Sequence, residues 1–135
     1  MNVDSILISD YATLTDNDQS LTVVRVFNAL SAKDFPATKQ WMAISLIVHA
    51  HRDERGSEHD LEIRVVHATR KPDTVIHRGK FRLAQGEPPP GVPLRQIVIH
   101  QMVQVAFPDP GAYAFEVYID GTYHASSVIH LGQAE

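Results

Sequence analysis

Alternation with a period of two dominates this chain. Met42, Ile44, Leu46, Val48 and Ala50 alternate with Trp41, Ala43, Ser45, Ile47, His49 and His51. Leu61, Ile63 and Val65 alternate in the same way with Asp60, Glu62 and Arg64. Successive side chains of a strand point to opposite faces, so these runs read as strands with one face buried and one wet. No stretch has comparable helical spacing. One short helical turn is expected around Ser31 to Asp34, ended by Phe35-Pro36, because the residue before a proline is pushed out of the helical region.

About eight strands are expected: Val3–Ala12, Ser20–Asn28, Trp41–Arg52, Glu58–Ala68, Val75–Ala84, Leu94–Phe107, Ala112–Ile119 and Thr122–Leu131. Turn chemistry separates them. Asp16-Asn17-Asp18 closes the first hairpin, Arg55-Gly56-Ser57 turns the third strand into the fourth, Lys71-Pro72-Asp73 turns the fourth into the fifth, and Asp120-Gly121 closes the last. Gly86 to Pro93, with three consecutive prolines at Pro88-Pro89-Pro90, lacks the amide donors of a central strand and reads as a stiff crossover between two sheets. Asp109-Pro110-Gly111-Ala112-Tyr113-Ala114-Phe115 resembles the tyrosine corner of immunoglobulin-like sandwiches, where the hydroxyl ties a strand to the connection before it. The expected fold is therefore all-β: a two-sheet antiparallel β-sandwich of about eight strands, Greek-key and immunoglobulin-like or jelly-roll-like. Residues 1–135 read as a single domain, since a chain of 135 residues can bury a core without a staple.

A formal net charge of −4 disfavours nonspecific nucleic-acid binding. The absence of cysteine excludes disulfides, thiolate metal sites and cysteine nucleophiles, and fits a reducing cytoplasm. Asp4, Asp10 and Asp16 interrupt any apolar leader, and no apolar run approaches the roughly 18 residues of a membrane helix. The expectation is a cytoplasmic protein with no membrane partner.

Three segments carry a family resemblance: Val3-Asp4-Ser5-Ile6-Leu7-Ile8-Ser9-Asp10-Tyr11-Ala12, then Leu21-Thr22-Val23-Val24-Arg25-Val26-Phe27 with Phe35-Pro36, then Phe107 to Val117. Together they are similar to a bacterial family of short uncharacterised proteins, a domain of unknown function. The resemblance implies one intact β domain and assigns no activity or site.

The most suggestive cluster depends on the third and fourth strands forming one hairpin. With the apolar residues of both turned to the core, His49 and His51 would share the outer face with Glu58, Asp60 and Glu62. His49, His51, Asp60 and Glu58 could then ligate a divalent metal, the one cofactor the sequence offers; the bland reading of the same residues is a set of solvated cross-strand pairs. The His-x-His of cupin metal sites differs in its surroundings: Glu54 follows too soon and no later histidine motif appears. Arg78, Lys80 and Arg82 form a basic stripe on the fifth strand, an anion site or else a salt-bridge ladder with Asp60 and Glu62, the ladder being favoured.

His59, His67 and His77 fall on the inward parity and read as hydrogen-bonded histidines near strand ends. In the last hairpin a three-residue turn with a bulge at Gly121 is preferred over a two-residue turn, placing Tyr123, Ala125 and Ile129 on the core face and leaving His124 and His130 exposed. Trp41 is the only tryptophan and reads as a core plug, with sugar stacking as the alternative. Asp4, Asp10, Asp16 and Asp18 sit near strand ends, where a glycosidase pair or ordinary turn acids would stand. No Gly-x-Ser-x-Gly elbow and no Gly-rich phosphate loop is present.

The leading reading is a non-enzymatic binding or assembly module that contacts a protein partner or a second copy of itself through loops or an exposed strand. The alternative is a metal-dependent enzyme or binding protein built on the histidine cluster. A small-molecule or carbohydrate-binding sandwich comes next, and needs Trp41 or Tyr118 exposed beside a groove.

Overall fold

The computed structural model describes residues 1–15, 17, 20–69 and 74–134. Among these residues lie nine strands and one turn of 3-10 helix at Arg52–Glu54. The strands are β1 (Asn2–Thr15), β2 (Ser20–Val26), β3 (Ala29–Ala32), β4 (Ala37–Ala50), β5 (Glu58–His67), β6 (Val75–Arg82), β7 (Leu94–Phe107), β8 (Gly111–Ile119) and β9 (Thr122–Gln133). They form a four-stranded sheet in the order β2-β1-β4-β7 and a five-stranded sheet in the order β3-β9-β8-β5-β6. The fold is all-β, as expected.

Each of the eight expected strands is present, and β3 is an addition. It replaces the helical turn expected around Ser31 to Asp34. Tertiary pairing decides this segment: Ala29 to Ala32 runs parallel to His130 to Gln133, so the purely antiparallel expectation fails at this pair. The amides of His130 and Ala134 donate to the carbonyls of Asn28 and Ala32 at 3.0 and 2.8 Å. Leu30 meanwhile packs against the core, which a solvated helical turn would leave without that burial.

Alternation does its expected work in the interior. Met42, Ile44, Leu46 and Val48 from β4 meet Leu61, Ile63 and Val65 from β5, with Phe115, Val117 and Ile129, in one continuous cluster fed by both sheets. Burying each such side chain contributes about 1.5–3 kcal/mol. The crossover from Gly86 to Pro93 carries the chain from β6 in one sheet to β7 in the other, as its prolines required.

Two expected connections differ. The segment around Arg55-Gly56-Ser57 does not close a hairpin, because β4 and β5 belong to different sheets. Both edges of β4 are taken, by β1 and β7, so β5 pairs instead with β6 and β8. The last hairpin has the two-residue turn: Ile119 pairs with Thr122 around Asp120 and Gly121, whose φ values are 51° and 81°. Positive φ at both turn residues matches the twist of the strands it joins. The register shift comes later, opposite Val117 and Tyr118, so Tyr123 is exposed and His124 half-buried, contrary to expectation. Ile129 is buried and His130 exposed, as expected.

The strands expected to be joined by the remaining turns, β1 with β2 and β5 with β6, do pair antiparallel. Of those turns, Asp16, Asp18, Lys71, Pro72 and Asp73 lie outside the described residues. The tyrosine corner is present: the buried Tyr113 hydroxyl donates to the Asp109 carbonyl at 2.6 Å and accepts from the Asp109 amide at 3.1 Å.

Candidate functional site

The two sheets turn different chemistry to the outside. On the five-stranded sheet, Glu58, Asp60 and Glu62 of β5 stand opposite Arg82, Lys80 and Arg78 of β6. Ion pairs follow the register: Arg82 with Glu58 at 3.1 Å, Lys80 with Glu58 at 3.7 Å and with Asp60 at 3.9 Å, and Arg78 with Glu62 at 3.5 Å. Arg64 adds a 3.1 Å contact to Glu62 and lies 3.7 Å over the Tyr118 ring. Arg78, Lys80 and Arg82 of the basic stripe each meet a carboxylate on the neighbouring strand, the alternative to an anion site.

The outer face of the four-stranded sheet is the opposite case. One row carries Val26, Ser9, Ala43 and Gln101 across all four strands. On one side of it stand Val24 with Tyr11 and Trp41 with Val103; on the other come Leu7, Ser45 and Ile99, then Ser5, Ile47 and Ile97. None of these side chains is charged. Trp41, Val103, Val24 and Tyr11 remain 65%, 61%, 53% and 52% exposed. Trp41 is therefore not a core plug. Its parity on β4 is opposite to that of Met42 and Ile44, which fill the core. Ser9, Ala43 and Ser45 are fully buried on this face, and Leu7, Ile47, Ile97 and Ile99 are half-buried. Gln101 reaches the Ala12 carbonyl at 3.1 Å, Ala12 is buried outside the core cluster, and Leu14 and Asn17 border one hollow with Ile47 and Ile97, so the far end of the β1–β2 pair lies over part of this face.

The expected metal ligands do not converge. That expectation required β4 and β5 to be neighbours, and they are in separate sheets. His49 instead lies 3.9 Å from Asp4, which is also 3.8 Å from Arg95. His51 accepts the Asp53 amide at 3.2 Å, and Glu58 and Asp60 stay in the ladder on the other sheet. Among the described residues no three histidine or carboxylate side chains come together as a metal-binding group. The strand-end acids are likewise engaged: Asp10 binds Arg25, and Lys39 at 2.8 Å, while Asp16 and Asp18 lie outside the described residues. The Arg25 guanidinium first, and the Lys39 ammonium after it, hold the Asp10 carboxyl down to about 2.

One constellation was missed from sequence. Ser57 Oγ lies 2.7 Å from His59 Nε2, and His59 Nδ1 lies 2.6 Å from Asp120 Oδ2. The other Asp120 oxygen accepts the Asp60 amide at 2.9 Å. Ser57 and His59 share one face at the start of β5, and Asp120 enters from the β8–β9 turn because β5 and β8 are paired up to Leu61 and Ile119. His59 stacks on Phe81, with ring centroids 5.4 Å apart, so its plane is fixed. The bond from His59, and secondarily the Asp60 amide, hold the Asp120 carboxyl below its ordinary range. The Ser-x-His spacing was visible in the sequence; the carboxylate, 61 residues away in a turn, was not.

Of the expected inward histidines, His59 and His67 are hydrogen-bonded as read, whereas the Nε2 of His77 is buried with no hydrogen-bond partner among the described residues. His67 is buried, with Nε2 3.1 Å from the Pro110 carbonyl and Nδ1 accepting the Thr69 amide at 3.1 Å. The carbohydrate reading needs a groove beside Trp41 or Tyr118. Trp41 stands on an open sheet face, and Tyr118 packs against Arg64 and Tyr123.

Comparison with known proteins places the chain. The model of a family of unknown function, DUF6941, matches residues 4–131. The chain belongs to this family. No curated protein sequence matches it. Among solved structures, this member of DUF6941 is similar to an alkylpurine DNA glycosylase, AlkC, from Pseudomonas fluorescens, bound to DNA containing an abasic-site analogue. That likeness has a TM-score of 0.58 at 9% identity, over 96% of this chain and 30% of that one. It is also similar to a β-glucosidase from Listeria innocua in complex with isofagomine, with a TM-score of 0.53 at 9% identity over 95% of this chain and 16% of that one. The chain thus spans less than a third of either protein, and at this identity the likeness is one of fold. Among the described residues no helix is long and apolar enough to cross a membrane.

Proposed function

We propose that this member of DUF6941 is a binding and assembly module of β-sandwich type, whose contact surface is the outer face of the four-stranded sheet and whose partner there is a second copy of the chain. The observation that carries the reading is the set of exposed, uncharged side chains on this sheet, Trp41 paired with Val103 and Tyr11 paired with Val24. A solvated sheet face is ordinarily polar, as the ion-pair ladder on the other sheet is, and contiguous exposed apolar surface marks a contact site. A two-fold interface sets a surface against itself, so like charges must not meet across it; a face without charge satisfies this in any orientation.

The chain has no cysteine, so Val103→Cys installs a single thiol on this face, and Lys80→Cys installs one on the charged face as a control. Sedimentation of the purified chain should show a concentration-dependent dimer. Maleimide labelling of Val103→Cys should slow as the dimer forms, while Lys80→Cys labels at one rate throughout. Trp41→Glu should give a folded monomer. A chain that stays monomeric at high concentration, with Val103→Cys labelled equally fast at every dilution, overturns the reading.

A further inference from the structure

We infer that Ser57, His59 and Asp120 form a second functional site, in which Ser57 is an activated nucleophile for acyl transfer from small carboxylic esters. This inference is independent of the assembly reading. It adds a reaction to a chain read from sequence as non-enzymatic, and the site lies on the other sheet from the proposed dimer face.

The connectivity is the argument. A nucleophilic serine needs a base at its hydroxyl, and the base needs a third group on its far nitrogen to set its tautomer. Here His59 presents Nε2 to Ser57 Oγ at 2.7 Å and Nδ1 to Asp120 Oδ2 at 2.6 Å. An ionised Asp120 accepts a hydrogen bond from Nδ1–H, which fixes the proton there and leaves the Nε2 lone pair facing the hydroxyl. Asp120 is itself anchored: its second oxygen accepts the Asp60 amide, and its own amide donates to the Asp60 carbonyl at 2.9 Å. Phe81 beneath the imidazole holds the ring in the plane of both bonds. Ser57 Oγ also donates to the Glu54 carbonyl, so the hydroxyl is positioned between two acceptors and its proton reaches His59 by rotation about one bond. Ser57 and His59 are both partly open to solvent, which gives a small electrophile access and leaves room for water.

The reaction balances with water as the only co-reactant. Ser57 Oγ bonds to the ester carbonyl carbon as its proton passes to His59 Nε2. The bond from that carbon to the alcohol oxygen breaks, and His59 returns the proton to the departing alcohol. Water then attacks the acyl-serine, giving its proton to His59, and the acid leaves as Ser57 recovers its hydrogen. Ser57 and His59 are the catalytic residues. Asp120 is a positioning residue.

The test uses a fluorophosphonate as trapping reagent and p-nitrophenyl acetate as substrate, on the full-length chain. One adduct per chain is expected, on the peptide that carries Ser57. Ser57→Ala should abolish both the adduct and the hydrolysis above buffer. His59→Gln should slow labelling of Ser57 by 100-fold or more, the scale of a lost general base. Asp120→Asn should lower kcat with KM unchanged, a split that loosening of the turn alone does not produce. The wild-type adduct is decisive even where a variant fails to fold. No adduct, an adduct on another residue, or a Ser57 adduct that forms equally fast in folded His59→Gln, overturns the inference.

Discussion

Tyr113 ties β8 to the connection before it through a single hydroxyl that both donates to and accepts from the backbone of Asp109. Tyr113→Phe keeps the ring against Phe107 and His67 and removes those two bonds. It should cost about 1–2 kcal/mol, the penalty of leaving buried backbone groups unsatisfied, seen as a lower urea midpoint at unchanged slope. This latch was legible because donor and acceptor lie four residues apart. Trp41 was not legible: parity says which side of β4 it takes, but only the tertiary structure says that it is exposed there. Asp10 gives a second prediction at this scale. Its carboxyl is held down to about 2 by Arg25 and then Lys39. Its stabilising effect is thus present above the unfolded carboxylate value of about 3.9 and is lost as pH falls toward 2. Melting temperatures taken between pH 5 and 2.5 should fall less steeply in Asp10→Asn than in the native chain.

Alternation located the long strands because burial of one face enforces a period of two, and β7 was read with its observed ends, Leu94 and Phe107. Partnership between elements was harder. Arg55-Gly56-Ser57 has hairpin composition, yet the identity of the strand beside β4 is decided by β1 and β7, which come from distant parts of the chain. Every sequence-level site that assumed the β4–β5 hairpin failed with it, and the Ser57–His59–Asp120 group went unseen because it needs the β5–β8 pairing. β6 shows how an edge strand is managed here. The Gln96 side chain on β7 accepts the Ala84 amide and donates to the Arg82 carbonyl, both at 2.7 Å, in the manner of a missing strand. Gln96→Ala removes this clamp. Hydrogen exchange should accelerate at the Ala84 amide while the amides shared by β5 and β8 keep their protection, a comparison NMR reads residue by residue.

At the scale of the molecule, the two sheets meet along β6 and β7, and a pair of histidines sits in that seam. His100 of β7 points at Gly79 of β6, where an added Cβ would stand 2.9 Å from its Nδ1. His77 lies on the same strand as Gly79, and its Nε2 is buried without a hydrogen-bond partner among the described residues. Burial lowers the pKa of both rings, and the charge of His77 lowers that of His100 further. A histidine with a lowered folded value binds fewer protons folded than unfolded, so stability is full above the unfolded value of about 6.5 and declines as pH falls through it. His124, lowered first by burial, acts in the same direction. Unlike the Asp10 effect, which begins only near pH 4, this loss starts just below neutrality. The urea midpoint should therefore drop between pH 7.5 and 5.5, and His100→Gln, which keeps a polar side chain but takes up no proton, should flatten that drop. Because the seam joins the sheets, the weakening should appear as one cooperative transition, with hydrogen exchange at β4 on one sheet and at β5 on the other moving together. Separate transitions in the two sheets would show that each holds its own part of the core, and would remove the histidine seam from the account of what couples them.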